Sequence, residues 1–235
     1  MNRRQIILSS ACQALAGSMA LSLLASSSAR AATFSQADAT GAVRAALERG
    51  ADIAVKQLGQ VNGFMGNDKI RIPLPEVLEK AAPLLRAVGR GRQMDDLISA
   101  MNHAAENAVS LALPLLRNAI KGMSVQDARQ ILSGGEHAVT DFFAAKTRAP
   151  LGVQFTPLVN KAVEKLSLAQ RYNELAGKAS SMGLIKGDQA ATVQQHVTTK
   201  ALDGLYFVIG EEERRIRNDP VGTGSALLKK VFSSL

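Results

Sequence analysis

The stretch Gln93–Lys121, QMDDLISAMNHAAENAVSLALPLLRNAIK, decides the fold of this chain. Its apolar side chains recur at steps of three and four along its whole length, which is the period of one helix face. The residues on that face are Met94, Leu97, Ile98, Met101, Ala105, Ala108, Val109, Ala112, Leu115, Leu116, Ala119 and Ile120. Because Pro114 lacks the N–H group that a helix interior needs, the pattern predicts a long helix that bends or divides there.

Helical spacing continues on both sides of this stretch. It predicts helices at 36–58 (capped by Ser35 and Asp38), 75–88 (kinked at Pro83), 136–147, 151–166, 168–179 and 225–232, a short helix from Ser124 and Asp127 to Gly134-Gly135, and a region from Asp188 to Arg217. Pro73 and Pro75 favour an extended segment that packs Ile70, Ile72 and Leu74. No run alternates as a strand does, so we predict an all-α, single-domain multi-helix bundle over residues 32–235.

Residues 1–31 have the three-part pattern of a cleavable signal peptide. Arg3 and Arg4 precede an uncharged, mostly apolar run, and Ala29-Arg30-Ala31 fits the small-x-small cleavage rule. Arg3 and Arg4 also fit a twin-arginine export signal, and the sequence leaves that route and general secretion equally open. The serine-rich composition argues against a membrane anchor, and Cys12 lacks a lipoprotein context. We therefore expect cleavage after about Ala31 and a soluble periplasmic protein.

Removal of this segment changes the charge and the redox chemistry of the protein. Of the 28 Lys and Arg residues, Arg3, Arg4 and Arg30 would leave, so 25 basic side chains would face 20 acidic ones, a net +5 instead of +8. The single cysteine would leave as well, which excludes disulfides and cysteine metal sites in the mature chain. With nine aromatic residues and no tryptophan, stacking on nucleic acid is not expected either.

Several stretches resemble a bacterial family known as domain of unknown function 4197. The similar segments are Asp52–Asn67 with Gly63-Phe64, Ile70–Glu76, Met101-Asn102, Ala104–Glu106, Met123–Gly135, Ala201–Leu205, Glu211–Glu213 with Ile216-Arg217 and Asp219-Pro220, and Leu227–Phe232. The resemblance implies an exported all-α protein. It implies no activity, cofactor or functional residue.

One candidate site lies in the long central helix. His103 and Glu106 are one turn apart, near Asp95, Asp96 and Asn102, so they could present two metal ligands on one face. A di-metal carboxylate bundle would repeat Glu-x-x-His on a partner helix, and this chain does not. An ordinary half-buried polar patch is the favoured interpretation, and no metal or cofactor is predicted.

A second candidate is the basic stretch 68–92, which contributes +3 of the expected net charge. Gly89-Arg90-Gly91-Arg92 precedes a helix start, where free N–H groups and the helix dipole favour an anion such as a phosphate or a lipid head group. A solvated loop is the simpler interpretation, because Asp95 and Asp96 already complement that dipole. Glu211–Arg217, with Glu211 and Glu213 each four before an arginine, is interpreted as an exposed helix end.

No catalytic motif is present: there is no Gly-x-Ser-x-Gly, no His-Glu-x-x-His and no mature cysteine nucleophile. We therefore favour a periplasmic helical protein that binds an envelope component or a small apolar or anionic ligand. The candidate binding residues are Phe64, Arg71, Arg90, Arg92, Asn102, His103, Glu106 and Asp203. An enzyme that uses Asn102, His103, Glu106 and Asp203, and a structural or assembly protein of the envelope, are the alternatives.

Overall fold

The computed structural model describes residues 34–126, 128–184 and 193–235. Within these ranges the chain forms helices and connecting segments, without a strand. The helices are α1 (Gln36–Leu58), α2 (Glu76–Ala87), α3 (Gly91–Val109), α4 (Leu113–Gly122), α5 (Ala128–Leu132), α6 (Ala138–Lys165), α7 (Leu168–Ser181), α8 (Val193–Asn218) and α9 (Ala226–Phe232). The all-α prediction is confirmed.

The three longest helices, α1, α6 and α8, form the centre of the core. α8 packs against both α1 and α6, and α3 lies against α6 and α8. α2 and α7 cover α3, while α4, α5 and α9 pack on α1. Each of these helices contributes apolar side chains to one core, whose largest fully buried members include Phe64, Phe143 and Phe155. The buried faces of the long helices therefore share a single core.

Two predictions from local sequence are confirmed at the level of hydrogen bonds. α1 begins after Ser35, whose hydroxyl accepts from the N–H of Asp38 while the Asp38 carboxylate accepts from the N–H of Ser35. The Gln93–Lys121 stripe divides into α3 and α4 at residues 110–112, with Pro114 in the first turn of α4. Proline fits there because the first-turn N–H groups have no partner within the helix.

The predicted break between 147 and 151 is wrong, because α6 runs without interruption from Ala138 to Lys165 through Pro150 and Pro157. Its buried side chains recur at steps of four: Val139, Phe143, Thr147, Leu151, Phe155, Val159 and Val163. Both prolines lie on the exposed face. There, water can hydrogen-bond the carbonyl that each proline leaves without a helical donor.

The basic loop is shorter than the sequence indicated. α3 already begins at Gly91, so Gly91 and Arg92 belong to its first turn and the break between α2 and α3 consists of Val88, Gly89 and Arg90. Gly89 has φ +79°, a backbone conformation that glycine adopts without steric cost.

Three predictions fall on residues outside the described ranges. They are the signal peptide of residues 1–31, the cap formed by Asp127 and the cap formed by Asp188. Among the helices that the structure describes, none combines the length and the apolar character needed to cross a bilayer.

Candidate functional site

Asn102 fixes the extended segment 71–75 against α3. Its Oδ1 accepts the N–H of Ile72 at 2.9 Å, and its Nδ2 donates to the carbonyls of Ile72 and Ile98 at 3.0 and 2.8 Å. His196 of α8 approaches the same segment, with its Nε2 2.9 Å from the carbonyl oxygen of Pro73. Since Asn102 is fully buried and all these partners are backbone groups, its role is to position the segment.

Glu106 lies one turn further along α3 and joins two other candidate residues. Its Oε1 accepts the N–H of Phe64 at 3.2 Å, and its Oε2 lies 2.8 Å from Nδ1 of His103. Phe64 is fully buried, and its ring fills the space above Gly204, where an added Cβ would come within 2.6 Å of the ring. Phe64, His103 and Glu106 therefore meet, and together they hold the 59–67 turn onto α3 and α8.

Asp95 and Asp96, the other two carboxylates near the possible metal site, do not join His103 and Glu106. Asp95 accepts from Nη2 of Arg86 at 3.1 Å, and Asp96 is exposed. Across the described ranges, no three His, Cys, Asp or Glu side chains converge as a metal site requires. Both oxygens of Glu106 already have partners, so the polar groups of α3 connect parts of the fold to one another.

The basic side chains of residues 68–92 have separate partners or face the solvent. Lys80 pairs with Glu76, and Arg90 donates to the side-chain oxygen of Gln93 at 2.9 Å. Arg71 and Arg92 are exposed. Ligand contacts by Arg71, Arg90, Arg92 and His103 stay a prediction of the sequence.

The interpretation of Glu211–Arg217 as an exposed helix end is wrong for Glu212 and Glu213, whereas Glu211 lies in a surface ion pair with Arg214. Glu213 is 2% exposed and accepts the N–H groups of Val139 and Thr140 at 3.0 and 2.8 Å, so it caps α6 from α8. Arg217 donates to Glu213 and to the carbonyl of Leu132 at the end of α5. Because a helix N-terminus needs acceptors for its free N–H groups, this carboxylate stabilises the junction of three helices.

Glu212 provides the matching connection on the other side of α8. It is also 2% exposed, and its two oxygens accept from Nε of Arg49 at 2.7 Å and from Nη1 of Arg215 at 2.8 Å. Arg49 belongs to α1 and donates in addition to the carbonyl of Thr223. Within the stretch 211–217, Glu212, Glu213 and Arg217 thus connect α8 to α1, α6 and α5.

Asp203 borders a small cavity of about 310 Å³ between α6 and α8. It accepts from Nη1 of Arg148 at 2.6 Å, and that guanidinium lies 4.9 Å from the ring centroid of Tyr206. Burial raises the pKa of Tyr206 above its ordinary value, although its hydrogen bond with Thr147 opposes the shift. Asp203 thus lies in an ion pair, apart from Asn102 and Glu106, whose partners belong to the segments around Ile72 and Phe64.

A larger cavity, of about 650 Å³, lies between α4 and α6 and was not predicted from the sequence. Met123 and Leu151 are buried at its floor, and Phe142 is half-buried in its wall. The rim carries polar side chains and one cation: Asn118, Ser124, Gln126, Lys146 and Gln154. Among the described residues that line it there is no carboxylate, so a ligand would meet apolar surface and the positive charge of Lys146 there.

One wall of this α4–α6 cavity is the segment 123–126, and α1 holds it in place. Side chains at steps of four on α1 donate to three of its carbonyls: Gln36 to Gln126 at 2.6 Å, Thr40 to Val125 at 3.4 Å and Arg44 to Met123 at 3.0 Å. A wall fixed in this way costs little conformational entropy when a ligand binds.

The opposite wall is a stripe of α6 at steps of four, formed by Phe142, Lys146, Pro150 and Gln154. Pro150 has no N–H, so the carbonyl of Lys146 has no helical donor at this wall. The ammonium of Lys146 lies 5.9 Å from the centroid of the Phe142 ring. The four-residue spacing of these side chains is visible in the sequence and could have indicated this wall. The helix break wrongly predicted at 148–150 divided them between two helices.

The comparisons with known proteins agree with the resemblance seen in the sequence. The model of a family described as "Protein of unknown function (DUF4197)" matches residues 33–233. No curated protein and no solved structure matches the chain.

Proposed function

The chain belongs to the DUF4197 family of proteins of unknown function, and from its own geometry we propose that it binds a small amphipathic ligand with an anionic end. The observation that supports this is the α4–α6 cavity, with its apolar floor, its fixed wall and Lys146 as the one charged side chain among the described residues that line it. Ligand sites of about 300–1,000 Å³ with mostly apolar walls and a few polar groups are typical of small-molecule binding proteins.

The chemistry of the lining determines how the ligand is oriented. Its apolar body lies against Leu151, Met123 and Phe142, where its removal from water drives binding at about 25 cal/mol per Å². Its carboxylate or phosphate lies at the rim beside the Lys146 ammonium, and Gln154 offers an amide donor nearby. A cationic amphiphile would instead place its charge beside that ammonium, and the described lining residues include no carboxylate to offset the repulsion.

Isothermal titration of the purified chain tests this proposal with three probes of equal chain length: dodecanoate, dodecanol and dodecyltrimethylammonium. Dodecanoate should bind most tightly, and Lys146→Ala should weaken it about tenfold, as expected for loss of a charge-assisted hydrogen bond. Lys161→Ala is the matched control, because Lys161 is an exposed lysine of α6 that does not line the cavity. Equal affinities for dodecanoate and dodecyltrimethylammonium would remove the basis of the proposal.

We also propose that the protein acts in the periplasm after export. Arg3 and Arg4, the uncharged run that follows them and Ala29-Arg30-Ala31 support this. Fractionation of cells that express the full chain with a C-terminal tag should recover a form shortened by about 31 residues in the periplasm. The double variant Arg3→Lys, Arg4→Lys distinguishes the routes, since a twin-arginine signal should fail and a general secretion signal should not. Full-length protein in the cytoplasm for the unaltered chain would refute export.

A further inference from the structure

A second cavity, of about 770 Å³, forms a groove between α6 and α8 on the side of Thr198. Its only charged lining residues, among those the structure describes, are Arg148 and Glu164, which have opposite signs. The rest are neutral, and the polar ones are amides or hydroxyls: Thr156 and Asn160 of α6, and Gln194, Gln195, Thr198 and Thr199 of α8. The groove is therefore suited to a ligand without net charge.

Thr198 gives this groove an unsatisfied hydrogen-bonding group. It is 7% exposed, and its Oγ1 is buried without a hydrogen-bond partner. Two other threonines that are buried in the described part of the chain contrast with it, since Thr140 donates to Glu213 at 2.8 Å and Thr147 donates to the carbonyl of Phe143 at 2.6 Å. A buried hydroxyl without a partner destabilises the free protein. Rotation about χ1, for which helical threonine has two favoured states, changes where this hydroxyl points.

The floor of the groove permits close approach by a main chain. Gly152 has no side chain, and an added Cβ would meet only Leu202 at 3.9 Å. Ala149 precedes it by one turn, and Val153 beside it is 76% exposed. A ligand backbone can thus lie on the small residues while an apolar side chain contacts Val153.

We propose that this α6–α8 groove binds a short, uncharged peptide segment in extended conformation. Such a segment presents N–H and C=O groups alternately, and the groove offers groups of both kinds. The amides of Asn160 and Gln194 each donate and accept, the Thr198 hydroxyl donates, and Thr156, whose own proton bonds the carbonyl of Gly152 at 2.8 Å, still accepts. The described lining residues include no aromatic ring, so none of them would stack on a sugar or a base.

Nuclear magnetic resonance titration of the isotope-labelled chain tests the proposal with one defined probe, acetyl-(Ala-Ser)₃-amide. Its addition should shift the side-chain amide signals of Asn160 and Gln194. Gly152→Leu should abolish the shifts by filling the floor, and Gly177→Leu, at an open and exposed helical glycine of α7, is the matched control. Thr198→Val should weaken binding about fivefold, the factor that one neutral hydrogen bond contributes.

The assignment would be overturned by peptide shifts that persist in Gly152→Leu, or by stronger binding of maltotetraose than of the peptide at the same residues. Acetyl-(Ala-Glu)₃-amide and acetyl-(Ala-Lys)₃-amide should both bind less well than the neutral probe, and a preference for either would contradict the charge argument. The two proposed sites can be separated, since Lys146→Ala should leave peptide binding unchanged and Gly152→Leu should leave dodecanoate binding unchanged.

Discussion

Replacing Thr198 by valine should stabilise the protein, which is the opposite of what most changes at a buried position do. Thr198 is 7% exposed on α8, and its hydroxyl has no hydrogen-bond partner. Valine has nearly the same shape and presents a methyl group in place of the hydroxyl. Because both residues branch at Cβ and have similar helix propensities, the backbone contribution to the free energy of unfolding should cancel.

The size of this stabilisation follows from the free-energy cost of burying a hydroxyl that has no hydrogen-bond partner. A buried donor or acceptor without a partner costs about 1–3 kcal/mol, and small movements of the surrounding atoms reduce that cost. We therefore expect the free energy of unfolding to rise by about 1–2 kcal/mol in Thr198→Val. For a chain of this size each kcal/mol raises the melting temperature by roughly 2–4 °C. The matched change Thr140→Val removes a hydroxyl that donates to the buried Glu213 carboxylate at 2.8 Å, and it should cost about 1.5–3 kcal/mol.

Urea unfolding followed by far-ultraviolet circular dichroism measures both variants. The midpoint should rise for Thr198→Val and fall for Thr140→Val at an unchanged slope, which shows that stability and not compactness has changed. A lower midpoint for Thr198→Val would mean that the hydroxyl has a partner in solution, and the inference about the α6–α8 groove would lose its main support. In saturating acetyl-(Ala-Ser)₃-amide the advantage of valine should shrink, since the peptide satisfies the hydroxyl only in the unaltered chain.

Other changes give equally direct expectations. Gly204→Ala should cost about 1–3 kcal/mol, because the new Cβ would come within 2.6 Å of a buried ring, whereas Gly177→Ala on the open face of α7 should gain about 0.5–1 kcal/mol in thermal unfolding. Tyr172→Phe should be neutral or stabilising, since that hydroxyl is buried without a partner, while Tyr206→Phe should cost about 1 kcal/mol; equal effects would contradict both. Burial lowers the pKa of His196 below 6.5, the ordinary value of histidine. As the pH falls, the unfolded chain therefore binds this proton at a higher pH than the folded chain does, and the free energy of unfolding should decrease below about pH 6.5. His196→Gln should reduce that loss in unfolding curves measured from pH 7.5 to 5, and an unchanged pH dependence would exclude His196 as its source.

Local chemistry explains what could be predicted of the fold. The Ser35 cap of α1 and the extended segment around Ile72 each depend on side chains within a few residues, and both are visible in the sequence. The residues near Pro150 do not show that α6 continues through it, so this continuity could not be predicted from local sequence. An interior proline costs about 3 kcal/mol locally. Burial of Leu151 and Phe155 in the same ridge of α6 outweighs that cost, and only the tertiary structure reveals it.

The candidate site was harder to predict, because its walls come from distant parts of the chain. Nothing near Met123 shows that Arg44, 79 residues earlier, holds its carbonyl. Similarly, Glu213 reads as one half of a local ion pair with Arg217, and that pair does exist. Its further bond to the N–H of Val139, 74 residues away, turns an expected surface feature into a buried helix cap.

Several stretches through which the sequence resembles the family lie where the helices are joined. Phe64 fills the space above Gly204, Asn102 fixes the segment 71–75, and Glu213 caps α6. Such contacts determine how the helices pack, so a chain that keeps these motifs should keep the fold whatever it binds. The α6 residues that line the two proposed sites, among them Lys146 and Gly152, lie outside those motifs. In this chain, substitutions on the exposed face of α6 should therefore change what is bound while they leave the buried ridge of that helix intact.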